Sequence, residues 1–118
     1  MSKRDAFFAL ASRPLRTTDV SIAGETFTLR ELSEADASEM EVKMQTKDGK
    51  FDFARHRMLL VSYSLIDENG KRIVDDWTQL QPFPRLIIGK LYEACLDLSR
   101  YQESEIENLA KKSSEADG

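Results

Sequence analysis

The chain has 118 residues, a length that suits one domain able to bury about two-thirds of its unfolded surface. Hydrophobic residues make up 41% and charged ones 32%, a balance that excludes a disordered or fibrous chain, and no apolar run reaches the length of a membrane span. The net charge of −4 argues against nucleic-acid binding, which needs many Lys and Arg contacts with phosphate, and the single Cys95 excludes an internal disulfide and a cysteine-rich zinc site.

The opening "MSKRDAFFALASRP" places basic residues before an apolar patch, but Asp5 interrupts it and "FFALA" is too short for a secretory core. A cytosolic protein is expected. Ser2 and Asp5 have the spacing of a capping box, in which a hydroxyl accepts from an orphan helix N–H. The spacing predicts a helix over about residues 3–11, with Phe7, Phe8, Leu10 and Ala11 on a compact apolar face and Pro14 ending it.

Val20 and Ile22 then belong to a strand, Ala23, Gly24 and Glu25 to a turn, and "TFTLR" to a second strand whose period-2 alternation turns Phe27 and Leu29 toward the core. At Ser33 the pattern changes to helix. Ser33 and Asp36 repeat the capping spacing, and Ala37, Met40 and Met44 recur at helical intervals with Glu34, Glu39, Glu41 and Lys43 outside. Asp48–Gly49 marks the turn that follows.

"FDFARHRMLLVSYSLID" reads as a helix to about Ser62 and then a short extended piece. Asn69–Gly70 is a two-residue hairpin signal that would pair Leu65–Ile66 with Ile73–Val74. "DDWTQLQPFPR" reads as irregular. From Pro84 to about Ser99 the chain carries its clearest helical pattern, with Ile87, Leu91, Ala94, Leu98 and Tyr101 on one stripe widened by Ile88 and Cys95, and this helix is expected to be the central rod of the core. The fold class is therefore α+β, mainly helical, with one or two small β-hairpins and a long amphipathic C-terminal helix. Residues 1–101 are expected to form one globular domain, and residues 102–118 an acidic polar tail, partly helical and then frayed.

No catalytic constellation emerges. His56, the only histidine, lies between Arg55 and Arg57 and reads as a solvated-face residue; Cys95 falls on an apolar stripe and reads as core. Asp67, Glu68, Asn69 and Gly70 begin like a calcium loop, but the twelfth position is Thr78 rather than a glutamate, so a turn is the better reading. Asp75–Asp76 reads as a solvated acid pair, and there is no glycine-rich phosphate loop. Neither enzyme activity, metal nor cofactor is expected. Trp77 and Phe83 sit in the segment that no regular element claims, where they either plug the core or meet a partner.

The order of features resembles the tail assembly chaperones of long-tailed, siphovirus-type bacteriophages. The hairpin "VSIAGETFTLRELS", the acidic helix after it, the apolar "MLLVSYSLIDENGK" and the terminal helix "LYEACLDLSRY" carry the likeness, over roughly residues 20–101. The resemblance implies a chaperone made in the host bacterial cytoplasm and absent from the mature virion. It would bind and solubilise the tape measure protein while tail-tube subunits polymerise around it. It also implies a longer product made by ribosomal frameshifting, for which the pair Lys111–Lys112 is the candidate position, and which would contact the major tail-tube protein; self-association is a further option. Such a family offers no active site to carry over, so the candidate partner-binding residues are Phe7, Phe8, Trp77 and Phe83. Two alternatives stay open: a structural virion protein such as a head–tail connector or tail-completion protein, and a small enzyme or regulator with a scattered site.

Overall fold

The computed structural model describes residues 2–100. The acidic tail at 102–118, Tyr101 and the pair Lys111–Lys112 lie outside the described residues. Helix α1 spans Lys3–Ala9 and runs into a 3-10 turn at Leu10–Ser12, so the predicted helix is interrupted just before its expected end. Ser2 caps it, its hydroxyl accepting from the Asp5 backbone N–H at 3.1 Å.

Strands β1 (Thr17–Ile22) and β2 (Glu25–Arg30) form the expected hairpin, in register from Thr17 opposite Arg30 to Ile22 opposite Glu25. The two-residue loop has both residues at positive φ, Ala23 at 53° and Gly24 at 82°, the handedness that matches the strand twist. Helix α2 spans Glu34–Lys43 behind its Ser33 cap, whose hydroxyl accepts from the Asp36 N–H at 3.2 Å. Helix α3 spans His56–Ser64 and passes directly into β3 (Leu65–Ile66). β3 pairs antiparallel with β2, giving a three-stranded sheet in the order β1-β2-β3. Helix α4, Arg85–Ser99, follows Pro84.

The second hairpin shrinks to a single bridge between Ile66 and Arg72. Its turn explains why. The Asp67 carboxylate accepts from the N–H groups of both Asn69 (2.8 Å) and Lys71 (2.9 Å), and the Gly70 N–H returns to the Asp67 carbonyl, so only Gly70 needs positive φ. A longer side-chain-capped turn has replaced the two-residue one that Asn69–Gly70 signals, while β2 pairs with the opposite edge of β3.

The central rod of the core is α3 and not α4. Leu59, Leu60, Val61, Ser62, Tyr63 and Ser64 are all buried, whereas α4 buries only Ile88, Leu91 and Cys95. The difference is one of environment: α3 is enclosed by α2, α4, β2 and the 3-10 turn at Trp77–Leu80, while α4 covers one side of α3 and the sheet. Its buried stripe is also shifted by one position from the predicted one, leaving Ile87, Ala94 and Leu98 half-buried. Leu29, Leu59 and Val61 are fully buried, with Val20, Met40, Met44, Leu65, Val74 and Leu80 around them.

Polar ties hold the layers. Arg16 donates from Nε to the Glu31 carboxylate at 3.0 Å and from a terminal nitrogen to the Leu98 carbonyl at 2.6 Å, joining the hairpin to the end of α4. Lys90, nearer the middle of the same helix, donates to the Ser21 carbonyl at 2.7 Å. The segment expected to be irregular is ordered by Asp76, which accepts from the Thr78 N–H, while the Gln79 side chain accepts from the N–H groups of Asp75 and Asp76.

Candidate interaction surfaces

The apolar residues of α1 do not reach the core. Phe7 is 67% exposed, Phe8 59%, and Leu10 is exposed beside them, and no residue of the helix is buried. The two rings meet edge to face at 5.5 Å, and the Arg4 guanidinium lies 5.0 Å from the Phe8 ring centre. Among the described residues nothing buries the apolar face of this short helix, and a contiguous exposed aromatic patch is less ordinary than scattered exposure.

Phe83 is half-exposed in the loop before α4, and Leu86, one turn further on, is 84% exposed. Trp77 stands differently. It is half-buried, packs against the core from its 3-10 turn, and carries the Arg55 guanidinium 5.2 Å above its ring. Sequence reasoning missed a further pair, Phe51 and Phe53, both exposed with ring centres 6.2 Å apart. Their alternation about Asp52 was a usable signal: strand-like spacing in a segment that then forms a helix leaves both rings on one exposed side.

Trp77 also lines a cleft of about 380 Å³ with Lys43, Arg55, Ser62, Tyr63, Arg72, Asp75 and Asp76. The Arg72 guanidinium stacks 3.9 Å over the Tyr63 ring, and Lys43 lies 5.1 Å from the same ring centre. Near approach to the Tyr63 hydroxyl, ahead of the weaker pull of Glu39, holds the Lys43 pKa above the ordinary lysine value, and desolvation works the other way. A backbone N–H from Thr78 keeps the Asp76 carboxyl below the usual carboxylate range.

His56 is not a solvated-face residue. It is half-buried, its Nδ1 is 2.7 Å from the Tyr92 hydroxyl of α4, and desolvation lowers its pKa. Cys95 lies in the core, and burial pushes its thiol up to about 11. Among the described residues, no group of three or more His, Cys, Asp and Glu side chains is placed to hold a metal ion, and no helix is long and apolar enough to cross a membrane.

A search of the sequence against known protein families finds no match, and a search of curated proteins finds none either. Among solved structures, the bacteriophage HK97 tail assembly chaperone superposes with a TM-score of 0.58 at 19% identity, over 85% of this chain and 99% of that one. The two proteins share a fold. The likeness spans nearly the whole of the HK97 chaperone and most of this chain, so it is one of overall architecture rather than of a local motif.

Proposed function

We propose that this chain is a tail assembly chaperone of a long-tailed bacteriophage or prophage, and that it binds and solubilises the tape measure protein. The observation that carries the reading is a fold shared over 99% of the length of the HK97 tail assembly chaperone. Exposed Phe7, Phe8 and Phe83 supply apolar surface suited to an amphipathic helical partner, and Trp77 borders that role from its half-buried position. The acidic balance of the chain adds a second element. Copies arrayed along a long partner repel one another and so oppose collapse of the complex.

On this reading the protein works in the host bacterial cytoplasm and leaves before the virion is complete. A longer form, made by frameshifting near Lys111–Lys112, contacts the tail-tube protein; codons without an A-rich run at that pair remove the basis for that part. The direct test is co-expression with the largest helical protein encoded downstream. The reading predicts that the large protein is soluble only with this partner and co-purifies with it; equal solubility alone, without co-purification, contradicts it.

A further inference from the structure

The cleft beside Trp77 differs from the apolar surfaces in its chemistry. Three cationic side chains, Lys43, Arg55 and Arg72, converge on two aromatic rings, in a chain whose net charge is −4. Arg55 is matched by Asp52 at 3.2 Å, and Lys43 is only loosely paired with Glu39 at 3.6 Å, where both side chains are exposed and water screens the pair. Arg72 makes no ion pair among the described residues. Its Nε donates to the Ser62 carbonyl at 3.0 Å, which fixes the guanidinium over Tyr63, and its terminal nitrogens meet no partner among the described residues.

Beneath Arg72 and Lys43 the Tyr63 hydroxyl is buried and makes no hydrogen bond among the described residues; the nearby Lys43 ammonium can only donate to it, so its own O–H lacks an acceptor. A buried hydroxyl left unmatched is unusual in a native structure, and an acceptor oxygen brought between the two cations would satisfy it. Two aspartates oppose an anion here. Asp76 is committed to the Thr78 N–H, whereas the Asp75 carboxylate makes no hydrogen bond or ion pair among the described residues and lines the cleft, where it would compete with an incoming acid.

We propose that this cleft is a carboxylate-binding site for an acidic side chain of a partner polypeptide, with Arg72 as the fixed fork, Lys43 as the exposed second cation and Tyr63 as the buried donor. A planar guanidinium held at Nε presents its outer nitrogens in the geometry that a carboxylate accepts. Trp77 forms the apolar wall against which the methylenes of a glutamate would lie. A cleft of this size holds one side chain and its adjoining backbone, which favours capture of a single residue on a helix over capture of a large cofactor. The site stands on these residues alone and does not require the partner to be the tape measure protein.

Trp77 is the only tryptophan and reports directly on the cleft. The experiment titrates the full chain with a capped helical peptide carrying glutamates at i and i+4, with its glutamine counterpart, and separately with free glutamate and inorganic phosphate, reading Trp77 emission. The expected result is a saturable change with the glutamate peptide alone. That affinity should fall at least tenfold in Lys43→Gln and in Tyr63→Phe, and rise about threefold in Asp75→Asn, which removes the internal competitor. Circular dichroism of each variant separates loss of the site from loss of the fold, and Lys43→Gln is the exposed change least able to disturb it. Equal responses to the glutamate and glutamine peptides overturn the proposal, as does unchanged affinity in folded Lys43→Gln. Phosphate or free glutamate competing as strongly as the peptide also overturns it, since the site would then be one for small anions.

Discussion

Replacing Phe7 and Phe8 together by serine distinguishes a binding surface from a core. Roughly two-thirds of each ring lies in water in the free protein. Taking a phenylalanine at about 200 Å², about 120 Å² per ring is left for a partner to cover, or about 3 kcal/mol each at about 25 cal/mol per Å². Ordering each side chain at an interface takes back about 1 kcal/mol. If the proposed function holds, the pair contributes about 4 kcal/mol to binding, and the double variant should bind the tape measure protein about a thousandfold more weakly. Stability should hardly change, because α1 buries no residue: the expected Tm shift is under about 2 °C. Calorimetric titration against a tape measure fragment and a thermal melt by circular dichroism read the two halves separately. A fall in Tm above about 5 °C would mean that the rings support the fold. Unchanged affinity in a folded double variant would refute the role given to this surface.

Three further outcomes follow from individual residues. Ala23 at φ 53° is strained, so Ala23→Asn should raise stability by about 0.5–1 kcal/mol in urea unfolding, while the β-branched Ala23→Val should lower it by at least about 1 kcal/mol. Cys95, with its thiol pushed up to about 11, should be inert to a thiol reagent at pH 8 in the native protein and react fully once urea unfolds it. Because burial lowers the His56 pKa, the folded state takes up its proton later than the unfolded chain as pH falls. Stability is therefore complete above the unfolded value of about 6.5 and declines as pH drops below it, a slope that His56→Gln should flatten in pH-dependent urea melts.

Much of the architecture was legible because local rules and tertiary demands agreed. Ser2 and Ser33 cap the helices they precede, and Ala23–Gly24 turns the hairpin that the alternation about Phe27 and Leu29 requires. The misread elements are those where a side chain outside the pattern decided. Asp67 capped two backbone N–H groups and so replaced the hairpin turn announced by Asn69–Gly70. Asp76 and Gln79 ordered a segment with no hydrophobic period to betray it. Helix α3 is buried on several sides, so its pattern lacks the single clean stripe that made α4 conspicuous and led to the wrong central element.

Candidate surfaces divided in the same way. Phe7 and Phe8 were visible as an apolar helix face, but only the fold shows that no described residue buries it. The cleft joining Lys43, Tyr63, Arg72 and Trp77 draws on α2, α3 and two loops, and no spacing in the sequence relates them. His56 was misjudged because its neighbours Arg55 and Arg57 suggested water, whereas the Tyr92 hydroxyl on α4 is its partner.

The central claim is that this protein keeps the tape measure protein from aggregating. Light scattering tests it with purified parts: urea-unfolded tape measure protein is diluted into buffer with increasing amounts of this chain. The account predicts that scattering is suppressed in proportion to the chain added and returns with the Phe7→Ser, Phe8→Ser variant. Scattering as strong with the wild-type chain as with buffer alone would contradict it.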